Sequence, residues 1–205
     1  MEHSYININR QFGSLGRPIA IKLAEILQIE YYDRDIVEET AKQMNIPLSQ
    51  ASDQDESVSS KFSRMAFPLG GGSNESEDNM FDVQAKIIQN LAAKGPAIFV
   101  GRCADYILKQ YNCLNIFIYA PKAQRYLNCV NSLGMSPTEA KKMIEKVDKA
   151  RDRYWIKYAK HLPSDPEYTH LMMDSSLFGV TGTAELLASI VKEHFSSEIF
   201  RPNVV

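Results

Sequence analysis

The sequence predicts a doubly wound α/β domain built on a parallel sheet. Five short apolar runs alternate with segments whose apolar residues recur at helical spacing. Two of those runs, Ala97–Gly101 and Leu114–Tyr119, are nearly continuous in apolar character, as strands covered on both faces require. A glycine-bearing turn joins the first run directly to the first helix, the usual place for an anion in such folds.

Taken in order, Tyr5 to Ile8 alternates apolar and polar residues and reads as the first strand. After the turn, Pro18 suits a first helical residue, because its missing N–H has no acceptor there. Ile19, Leu23, Ile26 and Leu27 give that helix its buried face. Ile29 to Tyr32 forms a second strand, and Asp33 or Asp35 caps a helix from about Ile36 to Met44. From Ile46 to Asn79 apolar residues thin out while Ser, Asp and Glu accumulate. This stretch reads as a mobile insertion, with one short helix near Lys61–Ala66 and a flexible Gly70–Ser73 linker. Helix returns from Phe81 to Ala93, closed by Gly95 and Pro96. A helix from Pro121 to Leu133 follows the fourth strand. Ser136-Pro137-Thr138-Glu139 is a capping box that opens a long helix to about Tyr158. His170 to Asp174 supplies the fifth strand, and Thr181 or Thr183 starts the last helix.

A length of 205 residues with 44% apolar content fits a single domain with a substantial core. The net charge of -2 argues against a broad nucleic-acid surface. Residues from Ala123 into the helix after Pro137 mimic a helix-turn-helix but lack a basic recognition face. Cys103, Cys113 and Cys129 make an odd set with no close pair, as expected of reduced cytosolic thiols. Neither a signal peptide nor an apolar run of membrane-spanning length is evident, so the expected location is cytoplasmic, with no membrane partner.

The turn Arg10-Gln11-Phe12-Gly13-Ser14-Leu15-Gly16-Arg17-Pro18 has the strand–turn–helix context of a P-loop and, from Gln11, the register of G-x-x-x-x-G-K-[ST]. Only Gly16 matches a fixed position; Gln11, Arg17 and Pro18 stand where Gly, Lys and Ser/Thr would be. The same glycines would serve a plain strand–helix connection. Arg17 separates the two readings: a cation at a helix N-terminus opposes the dipole unless an anion sits beside it. Candidate cofactor-binding residues are therefore Arg10, Gln11, Gly13, Ser14, Leu15, Gly16, Arg17 and Pro18.

Several segments resemble the cytidylate kinase-like family. They are Asn9–Arg17, Tyr31-Tyr32-Asp33, Val100–Leu108, Phe117-Ile118-Tyr119-Ala120-Pro121, Asp148-Lys149-Ala150-Arg151, Tyr154 and Asp174-Ser175-Ser176. The resemblance spans nearly the whole chain and is weakest from Asn45 to Asn79. It implies one P-loop kinase-like domain over residues 1–205, with a five-stranded sheet of order 2-3-1-4-5. It also implies a substrate-side insertion at 46–79 and a lid at about 134–168. The implied activity is transfer of the ATP γ-phosphoryl group to a nucleoside monophosphate, with Mg²⁺.

On that resemblance Arg17, Arg102, Arg151 and Arg153 are the catalytic cations, with Arg125 a weaker member of the group. Arg17 would hold ATP phosphates; Arg102, leaving a central strand, would clamp the acceptor phosphate beside Asp33 and Asp105. The family carries Asp-Gly-Arg-Asp where this chain has Val100-Gly101-Arg102-Cys103, so the acids that read cytosine are replaced. Pro18 cannot ligate Mg²⁺, which leaves Asp33 and Asp105 as the nearest carboxylates. Other readings of single residues stand beside these. Asp33 serves equally as a cap, Asp105 as a favourable charge in a first helical turn, and Arg151-Asp152-Arg153 as a solvated face. Tyr31, Tyr32 and Trp155 read as packing. The four histidines lack metal spacing, and nothing marks Cys103 as a nucleophile. A nucleotide- or phosphate-binding module without catalysis is the competing reading.

Overall fold

A computed structural model of the chain describes residues 4–45 and 74–196. The expected Lys61–Ala66 helix, the Gly70–Ser73 linker and most of the 46–79 insertion lie outside those residues.

Five parallel strands form one sheet in the order β2-β3-β1-β4-β5, as the family resemblance implies. They are β1 (Ser4–Arg10), β2 (Glu30–Tyr32), β3 (Ala97–Val100), β4 (Asn112–Tyr119) and β5 (Leu171–Asp174). Ile8 lies opposite Val100 on one side and Ile116 on the other. In that register Ile6, Ile8, Ile98, Val100, Ile116 and Ile118 share one face, since side chains alternate along a strand. Helices α1 (Gly16–Leu27) and α7 (Gly179–Ser196) cover it with Ile19, Leu23, Leu187 and Val191. Tyr5 and Phe99 point to the other face. There Ile36 of α2 (Arg34–Gln43), Ile88 of α3 (Asn74–Ala92) and Leu108 after α4 (Ala104–Ile107) meet them. Among the described residues no helix is long and apolar enough to cross a membrane.

Helices α5 (Lys122–Asn131) and α6 (Pro137–Tyr158) bring the carboxyl-terminal half of the chain against the turn after β1. Phe12 packs there with Cys129, Met143 and Val147. At the N-terminus of α6 the Ser136 half of the capping box forms, with the Glu139 N–H donating to Ser136 Oγ at 3.3 Å.

Three expectations are corrected. Helix α1 begins at Gly16, so Pro18 lies within its first turn; the N–H groups there have no intrahelical acceptor, and proline is tolerated. Asp33 precedes α2 but its carboxylate makes no capping bond, because it is engaged with arginines. The helix expected from Phe81 starts earlier, so residues 74–79 are helical. Within this stretch Glu77 and Asp78 meet Lys157 of α6, at 3.0 and 2.7 Å. One turn further on, Phe81 stacks on Tyr158 with 4.0 Å between ring centres.

Candidate functional site

The turn between β1 and α1 is held from behind by the ends of β4 and β5. The Gln11 N–H donates to Ile118 O at 3.0 Å, and Gln11 Oε1 accepts from the Ala120 N–H at 3.3 Å. Ser14 shares its hydroxyl proton between Gln11 O and Ile118 O at 2.9 and 3.1 Å. Ser175, just past β5, donates to Ser14 O at 2.6 Å. The side chains of Gln11 and Ser14 thus shape the turn, and what these candidate cofactor residues present to a ligand is backbone. Leu15, ahead of α1, adopts a left-handed conformation with φ 59° that turns the chain into the helix.

Gly13 has φ 79°, and a Cβ there would lie 2.7 Å from Arg125 O and 2.9 Å from Cys129 Sγ. Only glycine lets α5 approach this closely. Gly16 and Gly101 serve Arg10 instead. A Cβ on Gly16 would stand 2.6 Å from Arg10 Cβ, and one on Gly101 would overlap Arg10 Nη1. The Arg10 side chain passes from the end of β1 through the gap between these two glycines, over the end of β3.

Four arginines meet where the sheet's carboxyl ends open. Asp33 joins two of them: its Oδ2 lies 2.9 Å from Arg17 Nε and its Oδ1 3.7 Å from Arg10 Nη2. Tyr31 bridges the contact, accepting from Arg17 Nε at 3.3 Å and donating to Asp33 Oδ2 at 3.2 Å. Burial pushes the Tyr31 hydroxyl up to about 12, so it stays a donor at neutral pH. Arg17 is expected to neutralise a bound anion; within the chain it already has one, because Asp33 is distant in sequence but adjacent in space.

Arg102 follows Gly101, and Gly101, Arg102 and Cys103 all have positive φ, at 77°, 62° and 53°. This left-handed stretch folds Arg102 back under the site, where 7% of its surface is exposed. Among the described residues its Nη1 is buried without a hydrogen-bond partner. Burial lowers the guanidinium's pKa, and Arg10 adds to the effect while Asp33 opposes it. Arg151 of α6 is also buried and donates through Nη1 to Arg10 O at 2.7 Å. Burial pulls its pKa well down, with the charges of Arg10 and Arg102 contributing and those of Asp148 and Asp33 opposing.

Arg125 and Asp148 were not resolved as a pair by sequence reasoning. Asp148 Oδ1 accepts the Phe12 N–H at 2.7 Å, while Oδ2 lies 2.5 Å from Arg125 Nη1. Arg125 also donates to Phe12 O, and Asn128 donates to Gly13 O at 2.8 Å. These side chains fix the backbone of the turn from α5 and α6, so Arg125 acts on the turn itself. Five guanidiniums, of Arg10, Arg17, Arg102, Arg125 and Arg151, therefore gather around the carboxylates of Asp33 and Asp148. Among these seven groups the surplus is cationic and partly desolvated, an arrangement suited to an anion.

Two expected members stand apart. Arg153 is exposed, because two residues advance about 200° around a helix and Arg151 faces inward. Asp105 is buried with both oxygens 3.1 Å from Trp155 Nε1, and burial raises its pKa. It supports Trp155 and is not directed among the arginines, which also confirms Trp155 as a packing residue. Burial likewise raises the Cys103 thiol, as befits an inert core cysteine.

The model of a family described as "Cytidylate kinase-like family" matches residues 5–177. No curated protein sequence matches the chain. Among solved structures, an uncharacterized protein from Eubacterium ventriosum superposes with a TM-score of 0.69 at 22% identity, covering 92% of this chain and 98% of that one. Shikimate kinase from Acinetobacter baumannii, in complex with shikimate, superposes with a TM-score of 0.51 at 13% identity, covering 96% and 95%. At these identities the likeness is one of fold.

Proposed function

The chain belongs to the cytidylate kinase-like family, and from that premise we propose that it transfers a phosphoryl group from ATP to a nucleoside monophosphate. The observation that carries this reading is the buried Arg102, whose Nη1 has no partner among the described residues, beside Arg10 and Arg151. A desolvated guanidinium N–H without a hydrogen-bond partner is costly, and an acceptor phosphate would supply one. The backbone from Gly13 to Arg17 and the head of α1 would hold the ATP phosphates, with Arg17 at their edge. Arg10 would lie between the two nucleotides, since it leaves β1 at the turn and ends over Gly101. Positioned cations around spreading negative charge are the main requirement of phosphoryl transfer. Arg153 would contribute only through movement of the region at about 134–168, because it starts from the exposed face of α6.

Mg²⁺ ordinarily accompanies this chemistry, yet the side chains here do not fit a chain-held ion. Pro18 has no hydroxyl, Asp33 is engaged by two arginines and a tyrosine, and Asp105 accepts from Trp155. Asp148 accepts from Phe12 and Arg125. Among the described residues no group of three or more His, Cys, Asp or Glu could hold a metal.

Val100 and Cys103 are fully buried, so no carboxylate from these positions reads a base. The proposed acceptor is accordingly a nucleoside monophosphate without strong preference for CMP. A phosphate-binding module that does not transfer is the second reading, favoured by the engagement of Asp33, Asp105 and Asp148. ADP release measured against CMP, UMP, AMP and dCMP with Mg²⁺ separates the two. Turnover with more than one monophosphate supports the kinase. ADP release that no monophosphate stimulates supports the binding module.

A further inference from the structure

We infer that the arginines of this chain neutralise nucleotide phosphates directly, so that metal-free nucleotide binds as well as its Mg²⁺ complex. The inference rests on the proposed nucleotide site and concerns how that site balances charge. In a P-loop the hydroxyl that follows the lysine ties the metal to the helix head. Here that position is Pro18, which offers neither a hydroxyl nor an N–H. Ser14, the nearest hydroxyl in the turn, is buried and shares its proton between Gln11 O and Ile118 O.

Asp33, Asp148 and Asp105, carboxylates that could otherwise ligate a metal, are already in use by donors of the fold. Asp33 is held by Arg10, Arg17 and Tyr31, and Asp148 by Phe12 N–H and Arg125. Asp105 lies under Trp155, with both oxygens accepting from its Nε1. Meanwhile the cations exceed the carboxylates, and Arg102 Nη1 is buried with no hydrogen-bond partner among the described residues. A guanidinium fork offers two parallel donors to phosphate oxygens and cannot be deprotonated near neutrality. Arginines can thus meet the charge that a metal otherwise masks. A second cation brought in with the nucleotide would compete with them for the same phosphate oxygens.

The test is calorimetric titration of ATP into the full chain, once with excess Mg²⁺ and once with EDTA. The expected result is a Kd in EDTA equal to, or lower than, that with Mg²⁺, within about threefold. A Kd lower by about tenfold or more with Mg²⁺ overturns the inference while leaving the nucleotide site standing. Absence of ATP binding in both buffers overturns the nucleotide site and the inference together. A second arm uses Arg17→Ala/Arg102→Ala in EDTA, with thermal melts to confirm folding. Metal-free affinity should fall at least about tenfold in the folded variant; unchanged affinity would mean that other groups balance the phosphate charge.

Discussion

Asp148, in the middle of α6, accepts the backbone N–H of Phe12 at 2.7 Å across 136 residues of chain. Its other oxygen pairs with Arg125, which returns to the Phe12 carbonyl. The conformation of the turn after β1 is therefore set from outside, by a carboxylate and a guanidinium on two helices that follow the fourth strand.

Removing that carboxylate should cost stability first. Asp148→Ala leaves the buried Arg125 without its counter-charge and Phe12 N–H without its acceptor. A loss of about 2–4 kcal/mol is expected in urea denaturation. Asp148→Asn keeps an acceptor for Phe12 and should lose about half as much. Equal stability of Asp148→Ala and the parent chain would show that the turn does not depend on this contact.

Gly101 tests the passage of Arg10. Alanine there is forced into a left-handed conformation, costing about 1–2 kcal/mol, and its Cβ displaces the Arg10 head. The cost should be partly relieved in Gly101→Ala/Arg10→Ala, because the second substitution removes the group that Cβ meets. Denaturation of the two single variants and the double variant gives the coupling directly. Additive effects would mean that Arg10 moves aside freely.

Much of the fold was legible because it is written in local pattern. The apolar runs of β3 and β4 and the Ser136 cap announce themselves within a few residues, and the family resemblance carried the strand order. The site was legible in its arginines but not in their partners. Asp33 reads as a helix cap because capping and ion pairing call for the same residue type, and only the third dimension brings Arg10 and Arg17 to it. Asp148 and Arg125 lie on different helices, so no spacing along the chain connects them to Phe12. Residues 74–79 look like a solvated insertion until Lys157 appears opposite Glu77 and Asp78. Arg153 was grouped with Arg151 by proximity in sequence, where helical geometry sets them on different faces.

Asp105 should give the chain a pH signature. Its carboxyl is raised from its ordinary value of 3.8 by burial, so folding favours the protonated form. The stability it contributes is complete below the unfolded value and is lost as pH rises through the folded one. Asp105→Asn keeps an acceptor for Trp155 Nε1 without a buried charge. Its melting temperature relative to the parent should therefore rise from pH 4 toward neutrality, as measured by thermal melts across that range. A difference that stays constant with pH would place the charge of Asp105 in a solvated setting.

The measurement that bears most directly on the proposed site is binding of a nucleoside monophosphate to the parent chain and to Arg102→Ala, with thermal melts of both. If Arg102 clamps the acceptor phosphate, the variant should bind CMP or AMP more weakly by about 1.5–3 kcal/mol, roughly 10- to 150-fold. Its stability should hold or rise, because a buried guanidinium with an unpartnered Nη1 has been removed. The parent chain should bind the corresponding nucleoside, which lacks the phosphate, at least tenfold more weakly than the monophosphate, by roughly the same energy scale. Equal affinity of the folded Arg102→Ala variant and the parent, or equal affinity for nucleoside and monophosphate, would contradict a phosphate clamp at Arg102.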